Sequence, residues 1–400
     1  MDPRYRSLFN AQFTPALYDR YRQELEQRLH CTFDFRLAET PVFLPDDFKR
    51  RAVESANAIM DQLCEPALIE RMKAAIPERW NTPGMDRLPN LAQVDFAIVR
   101  AADGTLVPKL IELQGFPSLT SLQIVQRDAW RDAIATMDGL DADWSCWYSG
   151  LDRSSFLGLA RRTIVGNHDP AEVILMDLDP PRQKTYPDFT ATRLLFGVDP
   201  VDPTKLTKRG RQLFRENGTR VRRIYNRVVF DELVAKGIEL PFDYRDELDV
   251  EWAPHPNWYW VWSKYSLPFL RHESVPRATF VSELERIPED LSRYVLKPLF
   301  SFAGGGVNVD PTRADIEAIP ESARHAWCLQ EKIEYEPALH AVDGGGVKIE
   351  IRMMFLRPDD QPKPILAQNL IRLSRGKMLG VDFNKQFTWV GSSVGLSLHS

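Results

Sequence analysis

Apolar positions in the first ninety residues recur at helical spacing. Between 18 and 29, Leu25 and Leu29 share a side that the charged residues avoid. Between 46 and 76, Val53, Ala56, Ile59, Met60 and Leu63 form a second stripe, which Asn81-Thr-Pro-Gly84 breaks. A hairpin signal follows. Strands are predicted over 94–99 and 107–113, joined at the turn dipeptide Asp103-Gly104, closed by Gly115-Phe-Pro117 and followed by a helix over 119–137. Residues 171–176 read as a buried strand running into the turn Asp177-Leu-Asp-Pro-Pro181, and 221–229 alternates. Trp252, Trp258, Tyr259, Trp260 and Trp262 crowd one stretch, a pattern of packed core more than of a cofactor box. Beyond it, strands are predicted at 278–281, 294–297, 306–309, 328–330, 348–356, 365–373 and 387–390. These shifts divide the chain into 1–90, 91–165, 166–255 and 256–400, and their alternation predicts layered α/β and α+β architecture.

At 400 residues the chain has room for two to four domains. Its 51 basic and 56 acidic residues leave a net charge of −5, which gives no general drive toward nucleic acid or anionic lipid. The four cysteines (Cys31, Cys64, Cys146, Cys328) form no Cys-x-x-Cys pair, which argues against a zinc ribbon or a disulfide framework and for a reducing cytoplasm. The first residues lack the apolar core of a signal peptide, and no apolar run is long enough to span a membrane.

Candidate chemistry lies in the last third. In Tyr294-Val-Leu-Lys-Pro-Leu-Phe-Ser-Phe-Ala-Gly-Gly-Gly-Val-Asn-Val309 a strand ends at Lys297-Pro298 and a loop of small residues follows. Glycines let a backbone approach a ligand and turn its N–H groups inward, and a lysine at the strand end meets phosphate as a point charge. A flexible hairpin with a solvent-facing lysine fits this segment equally well. There is no Gly-x4-Gly-Lys-Ser/Thr and no Gly-x-Gly-x-x-Gly. Gly391-Ser-Ser-Val-Gly395 matches Gly-x-Ser-x-Gly, but only His399 lies downstream and no acid does, so a hydrolase triad is not supported. Trp327-Cys-Leu-Gln-Glu-Lys-Ile-Glu334 runs from apolar to polar, either a purine hinge or an edge strand. Glu350 and Arg352 share a strand face, with Arg372 on the next strand and Asn384 beyond it. Such charges suit a triphosphate and its metal, or else a solvated face of ion pairs. Arg182, Lys184 and Arg193 read more as a solvated loop than as an acid-binding site. Asn226 and Arg227 either face a cleft or pair within their domain.

Taken in order, these segments resemble the ATP-grasp superfamily, which includes D-alanine–D-alanine ligase and glutathione synthetase. Lys264 falls in the slot of the first lysine, and Lys297 with Gly304, Gly305 and Gly306 in that of the second lysine and glycine-rich loop. Gln330, Glu331, Lys332 and Ile333 match the hinge, and Arg352, Arg372 and Asn384 the later slots. The metal-binding strand that usually ends the family stands near the N-terminus instead, at Asp95 and Ile111-Glu-Leu-Gln-Gly-Phe-Pro-Ser-Leu-Thr120. That order is similar to the circularly permuted branch typified by glutathionylspermidine synthase, with Gln114 in place of the usual asparagine.

The resemblance implies a circularly permuted ATP-grasp fold with an N-terminal helical region (1–90). The displaced metal strands and a helix would occupy 91–165, a preceding Rossmann-like α/β domain 166–255, and the ATP-grasp lobes 256–400. It implies ATP between the lobes, bound by Lys264, Lys297, Gly304–Gly306 and the hinge residues. Two Mg2+ ions would be held by Asp95, Glu112 and Gln114, and Arg352, Arg372 and Asn384 would serve catalysis. The implied reaction joins a small-molecule or peptide carboxylate to an amine or thiol through an acyl phosphate, releasing ADP and phosphate. A nucleotide-binding regulatory or assembly protein with a degenerate site is the alternative that Gln114 motivates. Phosphotransfer to a hydroxyl or water is a third. The helical region would shape the acceptor site or a homo-oligomer interface.

Overall fold

The computed structural model describes residues 1–300, 305–376, 384 and 386–398. Its centre is an antiparallel sheet in the order Gly391–Ser393, Ile365–Ser374, Gly346–Leu356, Leu91–Arg100, Leu106–Gln114, with the short Leu339–His340 paired to Gly346–Leu356. Period-two alternation gives this sheet two unlike faces. Val94, Phe96, Ile98, Ile349, Ile351 and Met353 have no exposed surface and form the apolar face. Gln93, Asp95, Glu350, Arg352 and Gln368 point the other way and are buried as well. The Asp103-Gly104 turn forms as expected, with Gly104 at φ +84°.

The apolar face shares one continuous core with the N-terminal helices Pro3–Gln12, Pro15–Leu29, Asp46–Leu63 and Pro66–Met72. The stripe expected as one helix over 46–76 is two, because Pro66 supplies no N–H to continue the first and instead starts the second. Tyr21 stacks on Trp130 of the helix Leu122–Ile134 at 4.0 Å between ring centroids. A strap over residues 36–44 crosses to the far end of the chain. Val42 pairs in parallel with Gly395 of the strand Gly395–Leu398, and the Ser392 N–H donates to the Arg36 carbonyl at 2.9 Å.

A second, parallel sheet has the order Glu251–Ala253, Arg223–Asn226, Val173–Met176, Asp199–Val201. Val173 and Leu175 face the main core, while Ile174, Met176 and Ile224 face a second one with Phe230 and Tyr244, the two-sided burial expected of parallel strands. The aromatic stretch bridges the cores: Trp258 and Trp262 lie in the first, Tyr259 and Trp260 in the second. A third sheet, Ala278–Phe280, Trp327–Glu331, Tyr294–Pro298, is antiparallel and carries Lys297.

Three strand expectations fail. Residues 306–309 form a turn with only a single bridge between Leu296 and Asn308, because Gly306 at φ +72° reverses the chain. Residues 387–390 are irregular, and pairing begins at Gly391. The strand over 221–229 is broken after Val221 and stops at Asn226, and the helix Phe230–Ala235 follows. Ser393 sits within a strand and its Oγ donates to the Thr40 carbonyl at 2.5 Å, so it is not on a nucleophile elbow. Among the described residues, no helix is long and apolar enough to cross a membrane.

The strap requires a glycine at 391. Its φ is +118°, and a Cβ there would lie 2.1 Å from the Arg36 carbonyl oxygen. Gly391→Ala should therefore cost about 3 kcal/mol, read as a lowered urea midpoint, whereas Gly210→Ala, in open space at a turn, should cost about 1 kcal/mol.

Candidate functional site

The polar face of the central sheet is laid out in cross-strand rows. Glu112 is paired with Asp95, and Asp95 with Arg352; one row along, Glu350 is paired with Arg372; on the other side, Gln114 with Gln93. A bulge between Asp95 and Phe96 skips Ile111 and sets the row containing Glu112 apart from the rest of the hairpin. Asp95 has no exposed surface, and both of its oxygens are taken. Arg352 Nε donates to Oδ1 at 2.7 Å and Arg352 Nη2 to Oδ2 at 2.5 Å. Arg372 Nη2 also donates to Oδ2, at 2.8 Å, and pairs with Glu350, to which the Tyr335 hydroxyl donates at 3.4 Å.

Glu112 sits among four cations. Its Oε2 lies 3.8 Å from Lys264 Nζ, and its Oε1 lies 3.9 Å from Arg372 and 4.0 Å from Arg352. Lys297 approaches from the third sheet and donates to the neighbouring Ile111 carbonyl at 3.1 Å. Burial pushes the Glu112 carboxyl up, but Lys264, Arg372, Arg352 and Lys297 together outweigh burial and hold it below the usual carboxylate range. Burial pulls the Lys297 ammonium down, against Cys328 and Glu112. Gln114 Nε2 donates to Glu112 Oε1 at 3.3 Å. Glu112, Gln114 and Lys264 line a cavity of about 30 Å³ whose remaining wall includes Phe116, Tyr259 and Phe300. Gly115 keeps that wall in place: its N–H donates to the Trp262 carbonyl at 2.7 Å, and a Cβ there would meet the Trp258 carbonyl at 2.7 Å.

Thus Asp95, Glu112, Gln114, Lys264, Lys297, Arg352 and Arg372 converge. The hinge residues lie on the third sheet and just beyond it. Gln330 is buried, Glu331 is exposed and accepts from the Arg277 N–H, Lys332 pairs with Asp310 at 2.9 Å, and Ile333 is half-buried. Gly305 is exposed, and Gly306 packs against Pro298. Gly304 lies outside the described residues. Asn384 is placed differently from Arg372. Its Oδ1 accepts from Ser374 Oγ and from the Arg375 and Gly376 N–H groups, which fastens the turn after the Arg372 strand. Arg182, Lys184 and Arg193 are all exposed, but only the first two lie in the turn region; Arg193 is on the helix Tyr186–Phe196.

Sequence reasoning missed the support beneath the segment after Gln114. Gln93 Nε2 donates to the Ser118 carbonyl at 3.1 Å and Gln368 Nε2 to the Thr120 carbonyl at 2.6 Å. Asp188 accepts from the Ser121 and Leu122 N–H groups, and Arg227 donates to the Pro117 carbonyl and lies 3.9 Å from Asp188. Arg227 is therefore tied down within the fold. Gln93 was within reach of the alternation, two residues from Asp95; Asp188 and Gln368 carry no local signal.

No family model matches the chain, and no curated protein matches it significantly. Among solved structures it is similar to a glutathione synthetase-like effector from Globodera pallida in its apo form. The two are 14% identical with a TM-score of 0.59, and the match covers 98% of this chain and 99% of that one. The chain therefore has a glutathione synthetase-like fold from end to end.

At the carboxyl end of the parallel strand Val173–Met176, Asp177 is pushed up to about 7 by burial, against the pull of Arg227 and of the Leu178 N–H. Its folded value lies above its ordinary 3.8, so the neutral form's contribution is complete below pH 4 and is lost as pH rises through 7. Asp177→Asn cannot ionise. It should gain about 2–4 kcal/mol on the wild type between pH 4 and 8, measured as diverging urea midpoints.

Proposed function

We propose that the protein is an ATP- and Mg2+-dependent, ADP-forming ligase that joins a carboxylate to an amine or thiol, on a circularly permuted ATP-grasp fold. The observation that carries this reading is the gathering of Lys264, Lys297, Arg352 and Arg372 around the ionised Glu112. These residues come from strands and loops far apart in the chain. A triphosphate is the substrate group that such a set of cations matches.

In this reading Lys264 and Lys297 hold phosphate oxygens, helped by backbone N–H groups at Gly305 and Gly306, and Gln330 to Ile333 meet the purine. A divalent ion held by Glu112 and Gln114 would neutralise phosphate charge. The acid's carboxylate oxygen attacks the γ-phosphorus, and the bond to the β-phosphate oxygen breaks, releasing ADP. An amine or thiol then attacks the acyl carbon, phosphate leaves, and the nucleophile's proton passes to solvent. Arg372, a third exposed beside Asp95, would hold the acyl phosphate. No protein nucleophile is needed, in keeping with the buried thiols of Cys64, Cys146 and Cys328, which burial pushes up to about 11, 12 and 11. The substrates would be small-molecule or peptide acids and amines or thiols.

One observation favours a nucleotide-binding protein without ligase chemistry. Gln114, one methylene longer than the asparagine the resemblance expects there, is hydrogen-bonded to Glu112 itself.

Calorimetric titration of ATP separates the two readings. Wild type should bind only with Mg2+, and Lys297→Ala should weaken binding at least tenfold. With hydroxylamine and the right acid, wild type should yield a hydroxamate and Glu112→Ala none. Binding indifferent to Mg2+ would favour the second reading, and an absence of ATP binding by folded wild type would sink both.

A further inference from the structure

The permuted-family resemblance assigns Asp95 to a metal pair, but its surroundings do not suit a cation. Both oxygens accept guanidinium N–H groups at 2.5–2.8 Å, and none of its surface is open. A magnesium ion binds carboxylate oxygen at about 2.0–2.1 Å and keeps several waters. To reach Asp95 it would have to break the hydrogen bonds of Arg352 or Arg372. Glu112 differs. Its oxygens lie beyond hydrogen-bond length from Lys264, Arg372 and Arg352, at 3.8, 3.9 and 4.0 Å, and it lines a cavity with Gln114. Two residues apart on one strand, the two side chains share a face. Turning the Gln114 amide over would present its oxygen to the same ion. Among the described residues, no group of three or more His, Cys, Asp or Glu side chains is gathered as a metal site.

We propose that Asp95 is a positioning residue, not a ligand, and that the site takes its nucleotide with one divalent ion, held by Glu112 and Gln114. This rests on the nucleotide-binding reading above. Asp95 locks Arg352 by two nitrogens and leaves Nη1 of that guanidinium out of the pair. It holds Arg372 by one nitrogen while the side chain stays 37% exposed. The carboxylate sets the aim of two arginines on neighbouring strands, and the arginines meet the phosphates.

The test is a Mn2+ titration followed by electron paramagnetic resonance, with a β,γ-imido ATP analogue and the protein in excess over it. Wild type should bind one Mn2+ per bound nucleotide, and Glu112→Gln should lose that ion. Asp95→Asn should keep the ratio of one while the analogue's Kd rises at least tenfold. Arg372→Ala should raise the Kd comparably, and the double variant should add less than threefold more, because Asp95 acts through the arginines. Two Mn2+ per nucleotide in wild type would overturn the proposal while leaving the nucleotide site standing, and so would loss of Mn2+ in a folded Asp95→Asn. If Asp95→Asn does not fold, the wild-type ratio decides alone. If wild type binds no analogue, both this inference and the nucleotide reading fall.

Discussion

One buried carboxylate fixes the geometry of the site. Asp95 has no contact with water and is compensated by Arg352 and Arg372, which lie 257 and 277 residues away in the chain. A buried charge without partners is among the costliest errors a fold can contain, and losing one partner of such a pair typically costs about 3–5 kcal/mol. The pairing therefore selects register. If the Asp95 strand slipped by one residue against the Arg352 strand, Asp95 would turn into the apolar face and Val94 and Phe96 into the polar one. The constraint that keeps the sheet in register also lines up Glu112 beside Asp95, while Lys264 and Lys297 reach Glu112 from outside the sheet.

The two faces divide the work. The apolar face joins the helices of the first ninety residues in a core that continues past Trp130 and Trp258. The polar face is just as buried in places, but by hydrogen bonds and charge pairs. The site rests on regular strands braced from behind, which is how a scaffold holds polar groups to a fixed geometry. The segment after Gln114 is the exception, an irregular stretch with Leu119 at φ 55°. Its carbonyls at Pro117, Ser118 and Thr120 are each met by a buried side chain, as irregular buried backbone demands.

Legibility in the sequence followed the physics. The hairpin was readable, as strands over 94–99 and 107–113, because a strong turn dipeptide lies between two stretches rich in apolar residues. Alternation alone places Glu112 with Gln114, and Glu350 with Arg352, on shared faces. That Asp95 and Arg352 would oppose each other is a matter of register between strands 250 residues apart, and no local pattern encodes it. The third sheet's strands were visible, but the turn at Gly306 looked like a strand because Val307 and Val309 have strand propensity; a left-handed glycine overrides it. Order alone does not show that the Asn384 oxygen accepts from the turn after the Arg372 strand, a contact set by the fold. Pro66 was a missed boundary that its own chemistry announces.

The strap at residues 36–44 bears on how the molecule comes to exist. It pairs with Gly395 and Leu396, and its Arg36 carbonyl is met by Ser392, so residues 36–44 wait for a partner about 350 residues further on. On a ribosome the N-terminal helices emerge with their apolar stripes long before the strands that cover them. During that interval they are a surface for chaperones or for one another. The strap can seat only once residues 392–396 have been made, so the slowness expected of such distant pairing becomes a property of its synthesis.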